Sequence, residues 1–477
     1  MRGDTYIIET LREIVGPDNV ISDAKALDGY ANDGSFVRPM RPLCAVRPAM
    51  VEEVQAVVRL ANRERIALFP FSSGTTYQGA HIPTERGITV DLRRMNKIDL
   101  LDDVARNAII EPGVTFAQLA QAAEKKGLKP MTPIGVPEEA SVLATYLENT
   151  PLYLWPRYKT WETLNVKMVL PTGEIMGTGQ MALPDSDRPY HWATNFAVLN
   201  RVFFGAQGTL GIGVKAAVTL RNIVQHRKYI IVPLENIEKL NVLSPALMHQ
   251  EANDECFVAN ALYFACLFAN DKNEITALEK SLPTWIAVIG ISGNDEAEVS
   301  YKELDIRDVL DRFGLKGDTT LAGIADLQKR LMQEIDHPRG MLNQRRYAGG
   351  CSYIACMASN TQLSPLYNLT LQQAQHNGGA RAELGWLLMP LNFGGSYYFE
   401  PNLYYDPADA AERARTQQLF SNISRTLIHA GAFFPRPYPM WAEEVYFRIG
   451  AYHRKIKMCK EIFDPNNIMN PGKLALR

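Results

Sequence analysis

Phe463-Asp464-Pro465-Asn466-Asn467-Ile468-Met469-Asn470-Pro471-Gly472-Lys473 stands just before the last four residues of the chain, a run of turn formers that a packed helix or strand would not use. Two earlier segments have a related texture: Pro70-Phe71-Ser72-Ser73-Gly74-Thr75-Thr76-Tyr77-Gln78-Gly79, and Gly208-Thr209-Leu210-Gly211-Ile212. The chain has neither a Walker A loop nor a G-x-G-x-x-G turn. Whatever these segments hold, they hold by another geometry.

The first of them follows Ile66-Ala67-Leu68-Phe69-Pro70-Phe71, which reads as a buried strand. Successive backbone N–H groups in a tight turn containing glycine make a concave array of donors suited to a pyrophosphate. The hydroxyls of Ser72, Ser73, Thr75 and Thr76 add donors, and Gly74 and Gly79 allow close backbone approach. No lysine occupies the loop, which favours a diphosphate that is held over one that is transferred. Alone, such a loop is more often a plain turn.

Further motifs follow in order: Glu111-Pro112-Gly113-Val114-Thr115, Pro133-Ile134-Gly135-Val136, Leu183-Pro184-Asp185 with Arg188-Pro189, and Gly205-Ala206-Gln207-Gly208-Thr209-Leu210-Gly211-Ile212. As an ordered set ending in the terminal signature, they resemble the flavin-binding frame of the vanillyl-alcohol oxidase / p-cresol methylhydroxylase family. The resemblance covers roughly the first 220 and the last 45 residues well, and the middle loosely. It implies FAD, an α+β two-domain fold with a central α/β cap, and an FAD-binding domain at 1–222. A cap or substrate domain at 223–430 and a C-terminal segment at 431–477 returning to the FAD domain complete the expectation. The cofactor contacts it implies are Pro70, Ser72, Ser73, Gly74, Thr75, Thr76, Gln78, Gly79, Pro133, Gly135, Val142, Thr145, Gly208, Gly211, Ile212, Asn470 and Lys473. One departure is Ser141-Val142-Leu143-Ala144-Thr145-Tyr146-Leu147-Glu148-Asn149, where many relatives carry a glycine-rich stretch.

In enzymes of that family two tyrosines and an arginine hold a para-substituted phenol as its phenolate, and hydride leaves the benzylic carbon. A fixed cation lowers the phenol pKa, and the phenolate pushes the hydride out. By motif, Tyr77 matches one tyrosine and Arg436, in Phe434-Pro435-Arg436-Pro437-Tyr438, matches the arginine. Pro435 replaces the tyrosine that normally precedes it, and Tyr438 is the substitute hydroxyl. The family acid, expected around Arg157-Tyr158-Lys159, has no carboxylate there. For covalent flavin attachment the matching region is Gly394-Gly395-Ser396-Tyr397-Tyr398-Phe399, with Tyr397 and Tyr398 as candidates. A Tyr-Tyr-Phe run is also ordinary half-buried strand.

The implied function is an FAD-dependent oxidoreductase, oxidase or dehydrogenase, acting on a para-alkylphenol or benzylic alcohol. Two alternatives stand beside it. One is a 2-hydroxy-acid dehydrogenase in which Arg436 binds a carboxylate. The other is a non-catalytic flavin subunit of an electron-transfer complex, whose partner would be a cytochrome or iron–sulfur protein. Relatives are commonly oligomeric, so an oligomer is expected.

Bulk properties bound these readings. The chain has 477 residues, 46% of them apolar and 21% charged, and its formal net charge is −2. That is a folded protein with two or three cores, without the basic surface that nucleic acid requires. Six cysteines form no C-x-x-C pair and the eight histidines no metal-ligand spacing, so no metal is expected; His81, close after the flavin loop, is the one histidine kept as a proton handler. The opening residues lack a secretory core, and the longest apolar stretch, from Cys256 to Ala269, is too short for a bilayer and reads as a core helix. A cytoplasmic protein without a transmembrane segment is the expectation. Helices are read at Thr5 to Val15, after Pro48, after Gly113 behind the Thr115/Gln118 capping box, at Asp326 to Ile335 and at Val445 to Ile462. A hairpin is read across Pro171-Thr172-Gly173.

Overall fold

The computed structural model describes residues 3–148, 163–183, 199–377, 383–391 and 394–476. Three large sheets and a two-stranded ribbon, Leu128–Lys129 with Arg221–Asn222, organise the described residues. Strands Cys44–Val46, Gly87–Asp91 and Ala67–Phe71 pair in parallel, with Val20–Ile21 antiparallel at the edge. Helix Val51–Glu64 makes the crossover between two of them and buries Val54, Val57, Val58 and Ala61 in the same core. Val54, Val58 and Ala61 stand on the face that helical spacing predicts together with Val51, which is only partly buried, and Val57 joins them. A second sheet is antiparallel, in the order Ile98–Asp102, Asn107–Ile110, Ile212–Thr219, Thr163–Val169, Ile175–Gly177. The last two are the hairpin read from Pro171-Thr172-Gly173.

The third and largest sheet is antiparallel, with Trp285–Gly293 and Glu255–Asn260 at its centre and Leu384–Leu391 and Ser396–Tyr405 beside them. Both faces are covered, so its strands are apolar at nearly every position. Ile230, Val232, Ala287, Ile289, Leu388 and Phe399 enter one core, while Ile231, Val288, Phe257, Leu387 and Tyr398 enter the other. Neighbouring residues along a strand point to opposite faces, and that alternation sorts them.

The stretch Cys256 to Ala269 corrects one expectation. It is a strand, Glu255–Asn260, followed by a helix, Ala261–Phe268. Asn260 divides them: its side chain accepts from Tyr263 N at 3.1 Å, capping the helix, and donates to Leu384 O at 2.8 Å. An apolar run buried on every side carries no periodicity to separate strand from helix. The Val445 to Ile462 segment is likewise two helices, Pro439–Arg448 and Gly450–Phe463, broken at Ile449 (φ −110°, ψ 40°).

The terminal signature is a brace. Leu68 N donates to Ile468 O at 2.7 Å and Asn470 N to Leu68 O at 2.8 Å, so the turn adds itself to the edge of strand Ala67–Phe71. Asn467 and Asn470 hold positive φ, which asparagine tolerates better than most residues. Asp464 is buried, accepts the N–H groups of Ile468 and Met469 and pairs with Lys460, whose ammonium also bonds Thr209 O and Met469 O. Asp464→Ala leaves that ammonium buried beside two uncapped amides. A loss of about 3 kcal/mol is expected, because removing one member of a buried pair strands the other. A lowered urea midpoint checks it; an unchanged midpoint contradicts it.

Candidate active site

Strand Ala67–Phe71 delivers the chain into the Ser72–Thr76 loop at the floor of a cleft. Gly74 takes φ +70°, and a Cβ there would strike the Phe71 ring at 2.9 Å. The N–H groups from Ser73 to Tyr77 donate to no acceptor among the described residues. Ser73 Oγ accepts from Ser141 N at 3.1 Å, joining the loop to the start of helix Val142–Leu147. The three turn-rich segments quoted at the outset meet here. A Cβ on Gly208 would sit 3.0 Å from Pro70 and 3.7 Å from the Asn470 side chain, and Asn470 Nδ2 donates to Gln207 O at 2.6 Å.

Of the sequence candidates, Pro70, Ser72, Ser73, Gly74, Thr75, Thr76, Gly135, Thr145, Gly208, Gly211, Ile212, Asn470, Arg436 and Tyr438 line this one cleft. The others lie behind its walls or away from it. Tyr77 holds φ +53° under the Arg345 guanidinium, 3.9 Å from its ring centre. Gln78 is fully buried and donates to Tyr353 O at 2.9 Å. Lys473 is buried too and donates to Gly79 O and Ile82 O at 2.8 and 2.7 Å, fastening the far side of the loop; burial pushes its pKa down to about 7. Val142 packs in the core beneath its helix, and Pro133 lies in the turn leading to Gly135. Tyr397 and Tyr398 face opposite sides of their strand. Tyr397 donates to Leu240 O inside one core, and Tyr398 bonds Glu400 on the other face. The residues Arg157-Tyr158-Lys159, Pro184-Asp185 and Arg188-Pro189 lie outside the described residues.

At the inner end of the cleft, Arg436 is buried among oxygens. Burial works against its charge, but Tyr438, Tyr398, Tyr353 and Glu148 outweigh it, and its pKa is raised above the ordinary guanidinium value. Tyr438 O–H donates to Glu148 Oε2 at 3.3 Å. Glu148 opens onto the cleft on one side and is enclosed elsewhere. Burial pushes its carboxyl up to about 7 against the opposing pull of Arg436 and Tyr438. Tyr353, also facing the cleft, is pushed up to about 12 by burial. Sequence reasoning passed over Glu148 and Tyr353. Glu148 stands in the very segment singled out for its missing glycines, one turn past Thr145 on the same helix, and that spacing was the available signal.

The cleft suits a dinucleotide. His81 Nε2, Gln207 Oε1 and Asn470 Oδ1 are buried in its walls and have no hydrogen-bond partner among the described residues. Buried polar atoms of this kind are otherwise nearly always paired. A larger groove of about 1120 Å³ runs past Lys129, Arg227 and Asp336, but those charges already neutralise one another, with Lys129–Asp336 at 2.9 Å and Arg227–Asp336 at 2.6 Å.

Residues 42–179 match the model of an FAD binding domain. The chain is 22% identical to the 4-cresol dehydrogenase [hydroxylating] flavoprotein subunit of Pseudomonas putida over 98% of its length and 95% of that protein's. The 4-ethylphenol oxidase of Gulosibacter chungangensis, solved as an isoeugenol complex, superposes with a TM-score of 0.84 at 19% identity, covering 99% of this chain and 97% of that one. This protein is an FAD-dependent oxidoreductase with the fold of p-cresol methylhydroxylase and 4-ethylphenol oxidase. A third relative, the D-2-hydroxyglutarate dehydrogenase of Stutzerimonas stutzeri (strain A1501), is 29% identical, but the match spans only 46% of either chain. Among the described residues no helix is long and apolar enough to cross a membrane.

Gly74→Val tests the loop. A β-branched residue held at φ +70° against Phe71 costs about 2 kcal/mol or more, which corresponds to FAD binding weakened ~30-fold. The variant is expected to purify with a wild-type circular dichroism spectrum and little flavin absorbance; full flavin content contradicts the assignment.

Proposed function

We propose that the enzyme oxidises a para-alkylphenol or benzylic alcohol, holding the phenol oxygen at Arg436. The observation that carries this reading is a buried guanidinium amid Tyr353, Tyr398 and Tyr438 in a cleft whose lining also includes the apolar side chains of Leu143, Leu147, Met168 and Phe203. Apolar walls fit an aromatic ring, and one fixed cation fits one phenolate oxygen. The full-length match to a 4-cresol dehydrogenase supports the same substrate class.

Bound FAD supplies the hydride acceptor. The Ser72–Thr76 amides, Asn470, Gln207 and Thr145 would hold it, with the Gly208 segment as the opposite wall. Arg436 orients the phenol and lowers its pKa. Glu148, through the Tyr438 hydroxyl, takes the proton that the substrate oxygen sheds. Water is excluded because Arg436 and Tyr438 are nearly inaccessible, which strengthens the field at the substrate.

The second reading, a 2-hydroxy acid, draws on the match to D-2-hydroxyglutarate dehydrogenase. A substrate carboxylate would arrive at Arg436 already charged beside Glu148 and Glu400, both near enough to feel the guanidinium, whereas a phenol enters neutral and passes its proton on only there. That difference favours the phenol. The flavoprotein-subunit name of the cresol relative supports an electron-accepting partner subunit, a cytochrome or iron–sulfur protein.

Anaerobic stopped-flow decides the substrate class: 4-ethylphenol is expected to bleach the flavin and D-2-hydroxyglutarate or glycolate to leave it oxidised. The reverse pattern overturns the reading. Arg436→Ala should keep FAD yet lose about 100-fold or more in reduction rate, the usual scale for a preorganised electrostatic contact. For pH, the raised pKa of Glu148 means that it carries its proton below about 7 and accepts one only above. Reduction should therefore rise with pH through that value, and Glu148→Gln should flatten the rise. A slope retained in the variant removes Glu148 from proton transfer.

A further inference from the structure

Behind the Ser72–Thr76 loop lies an enclosure holding three ionisable side chains, Asp33, His81 and Lys473, all of them buried and Lys473 wholly so. Each comes from a different part of the chain. Lys473 belongs to the terminal brace, His81 follows the loop, and Asp33 stands just after helix Ala24–Ala31. His81 lies against the loop: its ring meets Phe71 edge-on at 4.9 Å, and a Cβ on Gly74 would come within 3.6 Å of it. It lines the flavin cleft, and its Nε2 has no hydrogen-bond partner among the described residues.

The charges in this enclosure do not balance. Asp33 is committed to backbone, since Oδ1 accepts from Ser35 N at 3.0 Å and Oδ2 from Gly79 N at 2.7 Å. It attracts both bases through space, but among the described residues it forms an ion pair with neither. Lys473 Nζ serves two carbonyls, Gly79 O and Ile82 O. A neutral amine has two N–H groups and is satisfied by them, whereas an ammonium carries a third. Burial disfavours a cation on either base, and it lowers the Lys473 pKa to about 7. The surrounding charges leave that unchanged. Glu85 and Arg86, in the turn past Ile82, are exposed, and Arg86 pairs with Asp4. Arg345, beyond Gly34, lies over the Tyr77 ring and keeps its charge at every working pH, while burial pushes Tyr77 above its ordinary value.

We propose that His81 Nε2 donates to the FAD diphosphate, and that Lys473 takes a proton from solvent when FAD binds. A diphosphate on the loop amides brings negative charge to the one wall of the enclosure that lacks it, and a nearby anion favours a protonated lysine. His81, neutral with its proton on Nε2, meets a phosphate oxygen without titrating. Lys473 becomes the counter-ion from behind the loop, without touching the cofactor. Linkage makes the effect reciprocal: whatever protonates Lys473 tightens FAD. Below about 7 the lysine already carries its proton, and affinity is full. Above that value FAD binding is expected to weaken ~10-fold per pH unit for as long as the complex keeps the proton.

FAD released from the holoenzyme, read by flavin fluorescence in ultrafiltrates across that pH range, tests both halves. Wild type should show the rise in free FAD above pH 7. Lys473→Met should bind weakly at every pH, and Lys473→Arg, charged throughout, should bind tightly at every pH. In either variant the slope is lost. Glu148 also titrates near 7 within the cleft, so Glu148→Gln is the control and should keep the slope. His81→Leu should weaken FAD ~10-fold at all pH values, the scale of one hydrogen bond to a charged group, and His81→Gln should recover most of it. Circular dichroism reports which variants fold. A wild-type affinity that ignores pH, a slope that survives in a folded Lys473 variant, or a slope lost in Glu148→Gln would overturn the role of the lysine. Full affinity in His81→Leu would overturn that of the histidine.

Discussion

A guanidinium removed from water has to be compensated by what surrounds it, and the architecture of this enzyme converges on doing that for Arg436. Its partners come from separate parts of the chain. Glu148 ends a helix of the flavin-binding part, Tyr353 lies on strand Gly350–Tyr353 and Tyr398 on strand Ser396–Tyr405, while Tyr438 opens helix Pro439–Arg448. Pro435 and Pro437 restrict the backbone on either side, and Tyr438 N closes back on Arg436 O at 2.8 Å. Gln207, from the cleft wall, donates to Pro437 O at 3.3 Å. An isolated buried charge would be prohibitively costly, whereas one ringed by hydroxyls and a carboxyl is tolerable and preorganised. The same desolvation keeps Glu148 near neutrality, poised to exchange a proton in the physiological range.

The Ser72–Thr76 loop depends on a related economy of contacts. Its own amides stay unspent among the described residues, so its shape is held from outside. Ser141 reaches Ser73, Asp33 takes Gly79 N at 2.7 Å, and Lys473 grips Gly79 O from behind. The brace near the C-terminus therefore supports the cleft without lining it at every residue. It fixes the loop on one side and Gln207 on the other, so the two walls are set to a common distance.

Much of this was legible in the sequence because turn chemistry is local. Gly74, Gly208, Asn467 and Asn470 adopt the positive φ their residue types allow, and the order of their segments identified the frame. Helix Val51–Glu64 and the hairpin followed from periodicity and a Pro-Thr-Gly turn. The Cys256 to Ala269 run did not, since a segment buried on all sides has no polar face to betray its period. Glu148 escaped notice because its one local signal, a position one turn past Thr145, does not by itself tell a carboxylate that reaches a cleft from one that reaches solvent. Only the approach of Arg436, 288 positions later in the chain, gives it a role. Tyr398 is similar: beside Tyr397 in sequence, it faces the opposite side of the strand and joins the arginine cluster through Glu400.

The most direct measurement is the ionisation state of a phenol bound to the oxidised enzyme. A 4-tert-butylphenol, which has no hydrogen on its benzylic carbon, can occupy the site without reacting. Free in solution at pH 7 it is neutral, since a phenol titrates at about 10. Ultraviolet difference titration is predicted to give the phenolate band on binding to wild type and to lose that band when Arg436 is replaced by alanine. A bound phenol that keeps its neutral spectrum in the wild-type enzyme would contradict the central claim that a buried cation holds the substrate as its anion.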